Sequence, residues 1–99
     1  MTLDNRIKDF REKIDRLDDQ LIDIIVERLS LTLDIGEIKK EINLNITDNN
    51  REQEIINRIT QRLNGRLNPK EIEKIFNLIF QISKKIQKKN SFALDRSLS

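Results

Sequence analysis

The feature that most constrains this chain is an apolar series stepping by threes and fours: Ile7, Phe10, Ile14, Leu17, Leu21, Ile24, Leu31, Ile35, Ile38 and Ile42. That spacing lines up one face of a helix. Arg28 fills the one place in the series where an apolar residue is missing. Isoleucine is β-branched and suits strands as well, but no period-two alternation survives here. The spacing therefore predicts one helix from about residue 4 to about residue 42. Two glycines and one proline in 99 residues leave few places to turn.

The stretch NLNITDNN is polar and Asn-rich and reads as a loop. Asp48 or Asn49 can cap a second helix, with Glu52 three residues after Asn49 in a capping-box arrangement. That helix carries Ile55, Ile56, Ile59 and Leu63, and Gly65 supplies a C-terminal stop. Asn68-Pro69 opens a third helix with proline at its first position and Glu71 completing its cap. Its expected buried stripe is Ile72, Ile75, Ile79, Ile82 and Ile86, flanked by Phe76 and Phe80. The fold class is thus all-α, three helices with a very long first one, in a domain of residues 1–90 followed by a disordered tail, 91–99.

Length carries an expectation about assembly. A helix of about 38 residues runs about 57 Å at 1.5 Å per residue. A compact domain of this size is only about 33 Å across. Two shorter helices cannot cover the whole seam, so a second copy of the chain is expected to, in a two-fold homodimer. A kink at Gly36 is the alternative, and a glycine there equally permits close packing.

Composition excludes several functions. Without cysteine or histidine there is no thiol nucleophile, Cys/His zinc site or Ser-His-Asp machinery. No apolar run approaches the roughly 20 residues of a membrane span. Nineteen Lys+Arg against seventeen Asp+Glu, interspersed, and four aromatics, all Phe, argue against a nucleic-acid partner. The N-terminal MTLDNRIKDF has no signal-peptide apolar core, so the expected location is cytoplasmic.

Polar residues on or beside the apolar stripes are the functional candidates. Arg28 sits in the seam itself, and Lys39, eleven residues on, projects in nearly the same direction. Burying two cations requires something anionic to meet them. Ser83 and Gln87 continue the line of Phe76 and Phe80, while Asp48, Arg51 and Glu52 cluster at the start of the second helix. Each has a plainer reading: Arg28 paired with Glu27 or Asp23 of another chain, Lys39 solvated, Asp48 and Glu52 as caps, Ser83 bonded to its own backbone. The KKIQKKN run reads as a solvated helix end. What raises these residues is that three helices aim polar groups at one interior.

In the segments FREKIDRLDDQLIDIIVERLSLTLDIGEIKK, ITDNNREQEII and IFNLIFQISKKIQ, spanning roughly residues 10–87, the chain resembles the all-helical, AroQ-class chorismate mutases. The resemblance implies an intertwined, domain-swapped homodimer of three-helix protomers. It implies conversion of chorismate to prephenate in aromatic amino-acid biosynthesis, an intramolecular [3,3] rearrangement with no cofactor, metal or covalent intermediate. The family's substrate-contacting positions fall on Arg11, Arg28, Lys39, Asp48, Arg51, Glu52, Ser83 and Gln87, with no departure among them. By the resemblance, Arg11 and Arg28 bind the substrate carboxylates, and Arg51 and Ser83 complete that pocket. Lys39 and Gln87 donate to the ether oxygen, and Glu52, with the Asp48 region, orients the ring hydroxyl. An amide at position 87 donates without taking a proton from solution, so acidic pH is not required.

Arg11 and Arg28 are seventeen residues apart, about 25 Å along one helix, too far for one small substrate. Arg11 is therefore expected to come from the other protomer, giving two equivalent sites per dimer. Two other functions fit parts of the pattern: isochorismate-pyruvate lyase on the same fold, and a non-catalytic helical dimerisation module. The latter would carry an apolar or amide residue at position 28.

Overall fold

The computed structural model describes residues 2–89, so the expected tail at 91–99 lies outside the described residues. The architecture is all-α: α1 (Leu3–Glu41), α2 (Asn49–Leu63) and α3 (Pro69–Lys89). None of the described helices is long and apolar enough to cross a membrane. The chain divides into two compact units, Met1–Leu31 and Thr32–Ser99.

The first unit is the greater part of α1. Thr2 starts the helix by accepting the Asn5 backbone N–H on its hydroxyl at 3.2 Å, while its carbonyl accepts from Arg6 at 3.1 Å. The Lys13 ammonium lies 5.5 Å from the centre of the Phe10 ring, a cation–π contact. Leu29 is buried and Arg28 half-buried.

The second unit holds the last turns of α1 with α2 and α3. Asn43 ends α1 in the left-handed region (φ 59°). Its N–H reaches the Lys40 carbonyl and the Leu44 N–H reaches the Lys39 carbonyl at 2.8 Å, the paired bonds of a Schellman stop. Asn45 then accepts the Thr47 N–H on its side chain at 3.1 Å, a tight turn that delivers Asp48 to cap α2. The far end of α2 closes on Asn64, left-handed at φ 51°, with Gly65 also at positive φ. Arg66 folds back to donate to the Leu63 and Arg62 carbonyls at 2.9 and 2.7 Å. Asn68 and Pro69 start α3 as expected, the Asn68 side chain accepting from the Lys70 N–H at 3.0 Å.

Among the described residues of this unit, Leu33 and Gly36 on α1, Ile55 on α2, and Phe80, Ser83 and Gln87 on α3 are buried. Phe76 stands against Phe80, ring centres 6.3 Å apart and tilted by 57°. The long seam of α1 from Ile7 to Ile42 is 48–61% exposed in the single chain, as its length leads one to expect. The stripe expected on α3 needs correction. Ile75 and Ile82 are 52% and 45% exposed, and the interior line runs instead through Phe76, Phe80, Ser83 and Gln87. The line of Phe76 and Phe80, continued by Ser83 and Gln87 as expected, is the inner one, while Ile72, Ile79 and Ile86 are half-buried beside it.

Phe80, 6% exposed, fills the most space of the interior residues on α3. Phe80→Ala is expected to cost about 3–5 kcal/mol in denaturant unfolding followed by circular dichroism. Lys85→Ala, on the exposed side of the same helix, should change stability by less than about 0.5 kcal/mol.

Candidate active site

In the second unit α3 meets the end of α1 through the Gln87 side chain, which lies against Gly36 and reaches Thr32. Gly36 presents bare backbone there: a Cβ on it would lie 2.7 Å from Gln87 Cγ and 3.0 Å from Gln87 Cβ. The glycine is therefore a packing site, and α1 continues as helix through it to Glu41. Gln87 runs through the slot this leaves, and its amide nitrogen donates to the Thr32 backbone carbonyl at 2.6 Å. The side chain is buried, 7% exposed. A buried amide must find partners. The Thr32 carbonyl takes one N–H and fixes which end of the amide is nitrogen, leaving the second N–H for another acceptor.

One turn earlier on α3, Ser83 is buried at 6% exposure and donates to the Ile79 carbonyl at 2.9 Å. This is the backbone bond expected of a serine inside a helix. Its oxygen retains lone pairs as an acceptor. Lys39, half-buried near the end of α1, reaches the Ile46 carbonyl at 3.3 Å, a long bond made by one of three ammonium N–H groups. Lys39 thus holds the α1–α2 loop twice, through its own carbonyl to Leu44 and through its side chain to Ile46.

At the start of α2, Asp48 is the N-cap, its carboxylate accepting the Arg51 N–H at 3.0 Å. The Arg51 guanidinium pairs with Glu54 at 3.3 Å on the exposed side of the helix. Glu52 turns the other way: it is half-buried, and its Oε2 lies 2.9 Å from the Nζ of Lys84 on α3. Lys84 belongs to the run expected to be a solvated helix end, and that expectation fails for it. Helical phase could have separated it from its neighbours: Lys84 lies one turn after Phe80, Lys85 does not.

Six of the eight sequence candidates therefore lie in this unit. A circuit of contacts links Lys39, Asp48, Glu52 and Gln87, while Ser83 bonds within its own helix and the Arg51 side chain pairs with Glu54 on the exposed side. Lys39 touches the loop at Ile46, the loop leads to the Asp48 cap and Glu52, and Glu52 reaches Lys84. Three residues further along α3, Gln87 returns to α1 at Thr32, seven residues before Lys39. The other two candidates lie in the first unit. Arg11 is exposed in a shallow groove with Asp4, Ile7, Lys8, Glu12 and Asp15, and Arg28 is half-buried. Among the described residues no group of three or more carboxylates is placed to hold a metal ion. The unit offers held hydrogen-bond donors, the Lys39 ammonium and the Gln87 amide, and a carboxylate acceptor, Glu52. It is equipped to bind and polarise an anion.

Comparison with known proteins gives the following. A family model described as chorismate mutase type II matches residues 10–88. Over 54 residues the chain is 39% identical to a chorismate mutase of Methanocaldococcus jannaschii, covering 54% of each chain. Over 53 residues it is 42% identical to a bifunctional chorismate mutase/prephenate dehydratase of Aquifex aeolicus, covering 54% of this chain and 15% of that one. The chain thus spans about half the length of the first of these curated relatives and a small part of the second. Its fold matches chorismate mutase (form II) from Thermus thermophilus with a TM-score of 0.82 at 28% identity, covering 88% of this chain and 99% of that one. It also matches a conserved hypothetical protein from Pyrococcus furiosus, TM-score 0.67 at 36% identity, over 83% and 95% of the two chains.

The Gly36 slot can be tested without any assay of function. In Gly36→Ala the new methyl meets the middle of a buried side chain, so Gln87 must leave the Thr32 carbonyl. The gain of up to about 1 kcal/mol from alanine's helix preference should be outweighed by about 1–3 kcal/mol of overpacking. Denaturant unfolding should register the net loss, and the Gln87 side-chain amide resonances should lose the downfield shift and slow exchange of a held N–H.

Proposed function

The chain belongs to the chorismate mutase type II family, and on that premise we propose that it is an isomerase that converts chorismate to prephenate. The observation that carries this reading is the Gln87 amide, buried and held by the Thr32 carbonyl at 2.6 Å. Such a rearrangement breaks the ether C–O bond while a new C–C bond forms, in one cyclic shift of electrons. It needs no proton transfer and no nucleophile, which suits a chain without histidine or cysteine. It does need a flexible dianion held with its side arm folded over its ring, and donors placed where negative charge grows on the ether oxygen.

In this reading Gln87 and Lys39 are those donors. The Gln87 N–H left over by Thr32 is already oriented, and the long Lys39–Ile46 bond is readily shared with a substrate oxygen. Arg28 binds a substrate carboxylate by its planar fork. Ser83 and Arg51 complete the carboxylate pocket, and Glu52 accepts from the ring hydroxyl, its helix start fixed by Asp48.

The same proposal includes a homodimer with Arg11 supplied by the other copy. Its support is the apolar face of α1, whose members from Ile7 to Ile42 are 48–61% exposed in the single chain. Contiguous apolar surface on that scale marks an interaction face. A second copy running antiparallel would cover it and carry its Arg11 toward this chain's Arg28 and Lys39.

Purified protein should consume chorismate and yield prephenate, with kcat in Lys39→Ala lower by about a hundredfold or more. Release of pyruvate from isochorismate, with no turnover of chorismate, would assign the lyase reaction instead. Arg11→Ala and Arg28→Ala chains, each inactive alone, should regain activity when mixed under subunit exchange, because one site per mixed dimer is then intact. No recovery after verified exchange would reject sharing of Arg11.

A further inference from the structure

The Lys84–Glu52 pair stands apart from the other ion pairs described. Arg51–Glu54 and Lys74–Glu71 are exposed pairs within one helix, with side chains 58–73% exposed. Lys84–Glu52 joins α3 to α2 at 2.9 Å, and its two side chains are only 28% and 26% exposed. Glu52 is also the residue expected to meet the substrate hydroxyl. A carboxylate in that position faces a difficulty, since the ligand brings two negative charges of its own and repulsion between unit charges a few ångströms apart is substantial away from bulk water.

We propose that Lys84 is a positioning residue that neutralises and orients Glu52, allowing a carboxylate to serve as hydroxyl acceptor beside a dianionic substrate. The proposal rests on the reading under Proposed function. The ammonium sits on Oε2, so the repelling charge is balanced locally and the carboxylate plane is fixed. Oε1 keeps its lone pairs for the substrate hydroxyl. Lys84 itself touches no reacting atom and works through Glu52. Its neighbours on α3 are Ser83, buried one residue before, and Gln87, buried three residues after. A staple between two helices would also account for the contact, but partly exposed ion pairs contribute little to stability, and such a staple makes no difference to substrate affinity.

The test is steady-state kinetics with chorismate for wild type, Lys84→Met, Lys84→Arg and Lys84→Glu, at low and high ionic strength, with thermal unfolding of each. Lys84→Met should raise KM about three- to tenfold at low salt and change kcat by less than about twofold. Lys84→Arg should restore KM, since it returns the charge, and Lys84→Glu should raise KM beyond Lys84→Met. Added salt should narrow the gap between wild type and Lys84→Met by screening the uncompensated charge. The proposal is overturned if KM in Lys84→Met stays at the wild-type value, if Lys84→Arg is as impaired as Lys84→Met, or if the loss falls on kcat alone. Should Lys84→Glu fail to fold, Lys84→Met and Lys84→Arg decide the matter. An inactive wild-type chain would bring down the chorismate reading and this proposal together, whereas an active wild type with an unaltered Lys84→Met would bring down this one alone.

Discussion

The second unit depends on one contact: a glutamine side chain laid against the bare backbone of Gly36 and tied to the carbonyl of Thr32. Within a helix the Thr32 carbonyl already accepts the N–H four residues on, which is that of Gly36. It has a second lone pair, but side chains on the following turn ordinarily screen it. At Gly36 there is none. The absence of one methyl group therefore opens both the space for the Gln87 stem and the acceptor for its amide. Without that acceptor a buried amide would cost about 1–3 kcal/mol. A leucine in the same place would instead contribute about 1.5–3 kcal/mol by leaving water. Held by that carbonyl, Gln87 escapes the first cost but forgoes the apolar gain, and its proposed role as a donor gives a reason for a polar group in that place.

The rest of the candidate site is built outward from that contact in short steps. The Schellman stop at Asn43 and the Asn45 turn set the length of the α1–α2 loop, and Asp48 fixes the first turn of α2. Glu52 follows one turn later and meets α3 at Lys84, three residues before Gln87. Lys39 and Gln87, the two donors of the proposed reaction, thus sit on different helices that are tied together twice, once through Thr32 and once through the loop and α2. Because each tie is a hydrogen bond or an ion pair of a functional candidate, binding groups and structural groups are the same residues. Fixed dipoles of this kind need little reorganisation as charge develops, which is what electrostatic catalysis requires.

Much of this was legible in the sequence because helices announce themselves by period and by ends. The span of about 4–42 against an observed Leu3–Glu41, the Asp48 cap and the Asn68-Pro69 start all rest on local chemistry that tertiary packing did not override. The line of Phe80, Ser83 and Gln87 on α3 was legible too, but which of the neighbouring apolar residues would be buried with it was not. Ten isoleucines, leucines and a phenylalanine in register on α1 concealed a shorter buried set at Leu29, Leu33 and Gly36, whose spacing is equally helical. On α3, isoleucine at nearly every apolar position made two neighbouring stripes look alike. The interior went to the stripe containing Ser83 and Gln87, whose polar atoms are satisfied there by the Ile79 and Thr32 carbonyls. Lys84 was lost for a related reason: in a run of lysines composition says solvent, and only its phase, one turn after Phe80, hinted at the contact that the structure shows with Glu52. Arg28 stood out by interrupting the apolar series of α1, whereas Arg11 was singled out only by resemblance to a family, a signal that local physics does not supply.

The exposed face of α1 bears on stability as much as on the site. Among the described residues the buried apolar side chains are Leu29, Leu33, Ile55 and Phe80, and none is fully enclosed. Small domains are marginal even when they bury most of their apolar surface. A chain that places two polar residues in its interior and leaves Ile7 through Ile42 uncovered gives up stabilisation in both places. If a second copy covers that face, as proposed, the missing apolar burial and the missing Arg11 arrive together. Folding, association and completion of the cationic pocket would then be one concentration-dependent event. Such coupling would also explain how the interior tolerates Gln87 and Ser83: the stability they forgo is recovered along α1, away from the atoms that must stay polar.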